Sequence, residues 1–173
     1  MASTATTAGG PHRGLLDWLA SQHIEYEVHE HPLAYTARET ARVEGVDPRT
    51  FAKVVGVATD AGQVALVVID ATDHVDLPKV AHLLEAGSVR LLTEAELTAL
   101  APDCDAGAIP AVGQLYGLRV LADHAVRHDP EISFNAGSHR YSVRVDRASW
   151  EKAADVTYAD LTGESDTRPA WAR

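Results

Sequence analysis

The chain has 173 residues, 46% of them apolar, one cysteine and a formal net charge of −10. That length holds one sizeable core and is short for two ordinary domains plus a linker. The acidic balance argues against DNA binding or any grip on nucleic acid through non-specific attraction to phosphates. Cys104 makes no internal disulfide, no apolar run approaches the roughly 18 residues of a membrane span, and the start lacks a secretory profile. The expectation is a cytoplasmic protein with no membrane partner.

Residues 1–12 and 163–173 have little to bury and read as tails around a domain at 13–162. Leu15, Leu16, Trp18 and Leu19 give an apolar face to a helix from about Pro11 to Ser21. A strand follows over Glu25–His29. Thr36 and Glu39 have capping-box spacing for a helix to about Glu44, stopped by Gly45, and Asp47-Pro48 opens another short helix. Val54–Thr59 and Gln63–Ile69 flank Asp60-Ala61-Gly62 and predict a hairpin of buried strands. Asp76 caps a helix to about Leu84, Val89–Leu92 is a strand, and Thr93 and Glu96 form a second capping box for a helix to about Leu100. Strands over Leu118–Leu121, Ile132–Asn135 and Arg140–Val145 are expected to extend the sheet. Residues 135–138 should turn the last pair, and a helix near Ala148–Ala154 closes the pattern. The class is α+β.

Lys53 stands inside Phe51-Ala52-Lys53-Val54-Val55-Gly56-Val57, which otherwise reads as one buried strand. With three lysines against twelve arginines in the chain, an ammonium in that company points to an anionic ligand, or else to a lysine whose stem packs while its head stays in water. The loop Asp105–Gly113 supplies glycines at both ends of a run of small residues, the kind of backbone that approaches a ligand closely and offers successive amides to an anion; an ordinary surface loop reads the same way. No nucleotide-binding P-loop spacing is present.

Other constellations are weaker. His29 and His31 share one face of a strand, and His124 and His128 are spaced for one face of a helix, although Pro130 cuts that helix short; a metal there would make a metal-dependent hydrolase, but no metal is expected. Cys104 sits between Asp103 and Asp105, whose charges raise a thiol pKa, so it reads as a bystander. Arg140 and Arg144 lie on one face of a predicted strand with Arg147 just beyond, either as a local nucleic-acid footprint or as partners for the surplus carboxylates.

The order of an F-x-K entry into a strand at Lys53, a strand ending near Ile69, the Gly107-Ala108-Ile109-Pro110-Ala111-Val112-Gly113 loop, and then Phe134-Asn135-Ala136-Gly137-Ser138-His139 resembles the YbaK/prolyl-tRNA synthetase editing-domain family over about Leu15 to Leu161. The resemblance implies a mixed, mostly antiparallel, barrel-like sheet surrounded by helices. It implies hydrolysis of amino acids wrongly attached to tRNA, with no cofactor, the aminoacylated acceptor end as partner and an aminoacyl-tRNA synthetase as a further one. Lys53 would contact the terminal adenosine or phosphate. Backbone of Gly107, Ala108, Pro110 and Gly113 would face the scissile carbonyl, while a substrate hydroxyl helps to activate water. The amino-acid pocket would be lined by Tyr26, His31, Thr36, Ile69, Asn135, Ala136, Gly137, Ser138 and His139, and tRNA would meet Arg140, Arg144 and Arg147. Several family members place Ser or Thr before the proline where this chain has Ile109, and some follow the lysine with a hydroxyl or amide where it has Val54. These departures leave the amino acid open among alanine, cysteine, serine, proline and others. They also leave standing a noncatalytic module that binds an aminoacylated or nucleotide-bearing end beside a synthetase.

Overall fold

A computed structural model describes residues 10–32, 37–45 and 50–163; Thr36 with its expected capping box, and the expected Asp47-Pro48 helix, lie outside that set. Helix α1 (Arg13–Ser21) buries Leu15 and Leu19, and its first turn is capped by His12, whose Nδ1 accepts from the Leu15 amide at 2.9 Å. Strand β1 (Tyr26–Glu30) and helix α2 (Ala37–Glu44) follow, the latter ending at Gly45 with φ +72°.

Strands β2 (Ala52–Thr59) and β3 (Val64–Asp70) form the expected antiparallel hairpin. β3 is buried along almost its whole length because it lies inside a sheet covered on both faces. A short β4 (His74–Val75) leads into α3 (Leu77–Leu83), where the Asp76 carboxylate accepts from the Lys79 amide. Then come β5 (Val89–Leu91) and α4 (Glu94–Leu100), whose Thr93–Glu96 capping box is formed in both directions. Strands β6 (Arg119–Asp123), β7 (Glu131–Ser138) and β8 (Tyr141–Asp146), helix α5 (Arg147–Ala153), and short strands β9 (Thr157–Ala159) and β10 (Thr162–Gly163) complete the described chain.

The strands make two main sheets. The larger has the order β5-β2-β3-β6-β9, with β2 antiparallel to both neighbours and β3, β6 and β9 mutually parallel; the other is antiparallel, β1-β8-β7; β10 pairs with β4. Three expectations change. β7 and β8 do not extend the sheet containing β6, because β8 takes β1 as its second neighbour. Nor is there a closed barrel among the described residues: the two sheets are joined there by one parallel bridge, Phe51–Ser133. Residues 135–138 also do not form the turn between the last two strands. They belong to β7, with a bulge between Asn135 and Ser138, and the chain reverses at His139-Arg140.

The space between the sheets is filled by Leu15, Leu19, Val68, Ala122, Phe134, Val143 and Trp150, while α3 and Leu161 cover Val57, Val67 and Ile69 on the other face of the large sheet. At roughly 2 kcal/mol for each large side chain buried, these layers supply most of the drive to fold. No described helix is long and apolar enough to cross a membrane.

Candidate active site

β5 pairs with β2 only from Val57 to Thr59, and the Leu92 amide reaches one residue further to the Gly56 carbonyl. From Ala52 to Val55 that edge of β2 has no strand beside it among the described residues. A cavity of about 320 Å³ occupies the gap, lined by residues 52–56, Leu91, Leu92, Leu97, Gly107, Ile109 and Asn135. Five consecutive residues of one strand line a single cavity only when it lies along the strand edge, since successive side chains point to opposite faces. Gly56 closes the far wall, as a side-chain carbon there would stand 2.8 Å from Leu92 and 3.0 Å from Leu97.

Lys53 is half-buried on this edge, and its Nζ donates to the Asp73 carbonyl at 2.8 Å. It pairs across the hairpin with Ile69, which is fully buried in the layer under α3. Ile69 therefore belongs to the core and not to a pocket wall, a correction that follows from strand alternation placing it beside Val67 and Ala65.

The loop opens with a type II turn over Asp105–Ala108, closed by the Ala108 amide donating to the Asp105 carbonyl at 3.0 Å, with Gly107 at φ +85° in the position that favours glycine. Two further backbone bonds tie it to the β7 bulge, Asp105 to the Gly137 carbonyl at 2.8 Å and Gly137 to the Ala108 carbonyl at 2.9 Å. The Asp105 carboxylate accepts from the His139 amide at 3.1 Å, and His139 Nε2 donates to the Ala106 carbonyl at the same distance. On the other side Trp150 Nε1 donates to the Ala111 carbonyl at 2.7 Å. With the Ala108 amide committed to the turn and Pro110 lacking one, the loop amides on the cavity that are bonded to no described group are those of Gly107 and Ile109. Gly113 is a packing glycine: a side-chain carbon there would lie 2.0 Å from the Leu118 carbonyl oxygen.

The cavity thus brings together Lys53, Gly107 and Asn135. The remaining expected residues that are described lie elsewhere. Tyr26 lines an acidic cleft with Glu27, Glu131 and Arg144. His31 is buried, its Nδ1 donating to the Pro32 carbonyl at 2.8 Å and its Nε2 3.7 Å from Glu44, whose carboxylate accepts from Ser142. Ala136 packs in the core, and Gly137, Ser138 and Arg140 line a second cleft with His12, Asp103 and Cys104. The three arginines do not converge on one surface. Arg147 is held by the Asp129 carbonyl and Glu151, Arg144 by Ser133 and Glu27, and exposed Arg140 makes no ion pair among the described residues.

The two histidine pairs do not come together either. His29 approaches Glu27, and His124–His128 is a 3₁₀ turn, whose three-residue period does not stack residues four apart. The described His, Cys and acidic side chains that do converge are His12, Asp103 and Cys104. Both nitrogens of His12 are occupied, Nδ1 by the Leu15 amide and Nε2 donating to Asp103 at 2.7 Å. Burial, then the charge of Asp103, pushes the Cys104 thiol up to about 12, against the opposing effect of its hydrogen bond with Tyr116. Burial is thus the main cause, ahead of the neighbouring aspartates.

Leu91, Leu92, Leu97 and Ile109 were missed as cavity residues. Nothing in their periodicity separates a leucine facing a cavity from one facing the core.

A family profile described as aminoacyl-tRNA editing domain matches residues 31–153. Among solved structures, one described as a candidate trans-editing enzyme for prolyl tRNA synthetase superposes with a TM-score of 0.77 at 23% identity, covering 88% of this chain and 96% of that one. The hypothetical protein APE2540 gives 0.79 at 19% identity, with 86% and 99% covered. A scaffold from the computational grafting of linear epitopes gives 0.76 at 24%, with 95% and 100% covered. These likenesses show a shared fold. Against curated proteins the sequence has no match.

Proposed function

Because the chain belongs to the aminoacyl-tRNA editing domain family, we propose that it is a deacylase hydrolysing the ester of a wrongly charged aminoacyl-tRNA. The supporting observation is that a lysine, two uncommitted loop amides and a buried carboxamide border one cavity that contains no acid–base pair for a protein nucleophile. An aminoacyl ester is already activated, so positioning and charge stabilisation are what the protein must add.

Lys53 anchors the anionic or adenosine part of the acceptor end. Water attacks the ester carbonyl carbon, and the negative charge that develops on the carbonyl oxygen is met by the Gly107 and Ile109 amides, each such donor typically contributing about 3 kcal/mol of transition-state stabilisation. The ribose hydroxyl next to the ester orients the water. The carbon–oxygen ester bond then breaks, the ribose oxygen leaves with a proton derived from the water, and free amino acid and tRNA are released. Arg140, exposed beside the loop, is the arginine best placed to meet the phosphate backbone. Such a role places the protein in the cytoplasm, in company with the synthetase whose errors it corrects.

The test is a panel of tRNAs charged with cognate and non-cognate amino acids, assayed for ester loss with and without the protein. Turnover of at least one non-cognate species supports the reading. Tight binding across the panel without turnover would make the protein a noncatalytic binding module.

A further inference from the structure

Strand β1 is an outer edge of the antiparallel sheet β1-β8-β7. The His31 amide donates to the Arg140 carbonyl at 2.9 Å, in register with the β1–β8 pairs, and the Arg147 amide donates to the Pro130 carbonyl at 3.0 Å on the β7 side of β8. Antiparallel bonding alternates along a strand, so Glu27 and His29 direct their backbone groups to β8. Tyr26, Val28 and Glu30 therefore direct theirs outward, where no strand stands beside them among the described residues. The apolar face of this sheet also runs past its cover. Val28 lies opposite Val143, which lies opposite Phe134; those two are fully buried, but Val28 is 41% exposed and Tyr26 is 38% exposed. An open edge with apolar side chains along one face is a template for pairing with another strand.

We propose that β1 is an interface for a second copy of this chain, each β1 pairing antiparallel with the other about a two-fold axis at Val28. The strand's own pattern selects that occupant. The outward groups at Tyr26, Val28 and Glu30 are symmetric about Val28, so two copies supply every donor and acceptor to one another. Val28 then faces Val28 of the second copy and Tyr26 faces Glu30, and the apolar row through Phe134, Val143 and Val28 continues into the second sheet. On the opposite face Glu27 meets His29 of the second copy, in the closer, non-hydrogen-bonded kind of pair. Charge fixes the register. A shift of two residues sets Glu27 against Glu27 or His29 against His29, and the latter also brings Pro32, which has no amide, against Tyr26. The result is one six-stranded sheet across the two copies. A five-residue edge buries little area, so the dimer is weak and concentration-dependent. It stands independently of the deacylase reading.

The experiment is sedimentation of the full chain over a concentration series, beside the melting temperature of each variant. The mass of the wild type should climb from the 18.5 kDa of one chain towards twice that. Val28→Pro removes an outward amide without breaking a β1–β8 bond, and His29→Glu sets like charges opposite one another. Each should raise the dissociation constant about ten-fold or more, with melting at low concentration little changed; His29→Glu carries the test if the proline variant does not fold. Mixing His29→Glu with Glu27→Lys should restore pairing, because the introduced charges then face each other. Val28→Cys reports the register: under mild oxidation it should crosslink to its counterpart faster than Tyr26→Cys, which would lie opposite Glu30, while Cys104 is buried and does not compete. A wild type that keeps the mass of one chain throughout overturns the proposal and leaves the edge to a different partner. A dimer that survives both variants, or that crosslinks more readily through Tyr26→Cys, overturns it as well.

Discussion

Gly137 in the β7 bulge lies directly against His12, the residue that caps α1: a side-chain carbon at 137 would stand 2.8 Å from His12 Cβ, and the His12 amide donates to the Ala136 carbonyl at 2.7 Å. Since Gly137 is also bonded to both ends of the Asp105–Ala108 turn, the contact connects the start of α1 to the loop that presents the Gly107 amide.

Gly137→Ala would introduce both that clash and a side chain at φ +88°. We expect it to cost roughly 1–3 kcal/mol of stability and to lower turnover. His12→Ala, which removes the cap, should cost about 1 kcal/mol. Thermal melts beside deacylation rates check both, and a Gly137→Ala protein of wild-type stability would show that the contact relaxes freely.

Lys53→Ala should abolish deacylation while the protein stays folded, because the half-buried ammonium donates to the Asp73 carbonyl and its side chain is not part of the buried apolar core. Hydrolysis and melting temperature are measured on the same preparation. Full activity in the folded variant would remove Lys53 from the substrate anchor.

The loop glycines should separate cleanly. Gly113→Val meets the Leu118 carbonyl within the fold and should fail to accumulate as folded protein, whereas Gly107→Val has its nearest outside neighbour, His139 Cε1, 3.7 Å from the new carbon and bears mainly the strain of φ +85°. Gly107→Val should lower kcat more than it weakens tRNA binding, since amide donors act chiefly in the transition state. Equal losses would make the loop a docking surface.

With its thiol pushed up to about 12, Cys104 is overwhelmingly protonated at neutral pH. Iodoacetamide at pH 7.5, a condition chosen to leave ordinary thiols partly reactive, should modify it slowly and leave deacylation intact. Rapid inactivation that follows labelling of Cys104 would restore a role for the thiol.

Arg140→Glu should flatten the salt dependence of tRNA binding by roughly one counterion unit or more. Arg144→Glu additionally breaks the contacts to Ser133 and Glu27, so its effect should include lost stability. Superimposable salt titrations for Arg140→Glu and wild type would move the footprint to Arg90 or Arg119.

The sequence by itself determined the features made by groups a few residues apart. The Asp76 and Thr93 caps, the stop at Gly45, the β2–β3 hairpin and the turn at Gly107 are written in local chemistry, where a side chain meets an amide within one turn or a glycine accepts a conformation others resist. The family pattern, too, lies in the order of Lys53, the glycine loop and the Asn135 segment. Tertiary structure alone decided that β6 lies parallel to β3, that β8 chooses β1, and that a cavity lies along the β2 edge beyond its pairing with β5. It also decided that Asn135 faces that cavity while Ile69 enters the core, and that His12, in a segment expected to be a tail, supports the loop. The physical reason is that a strand's two faces and two edges are equivalent until distant partners cover them. Pattern marks a residue as apolar or polar, and only packing settles which surface it meets.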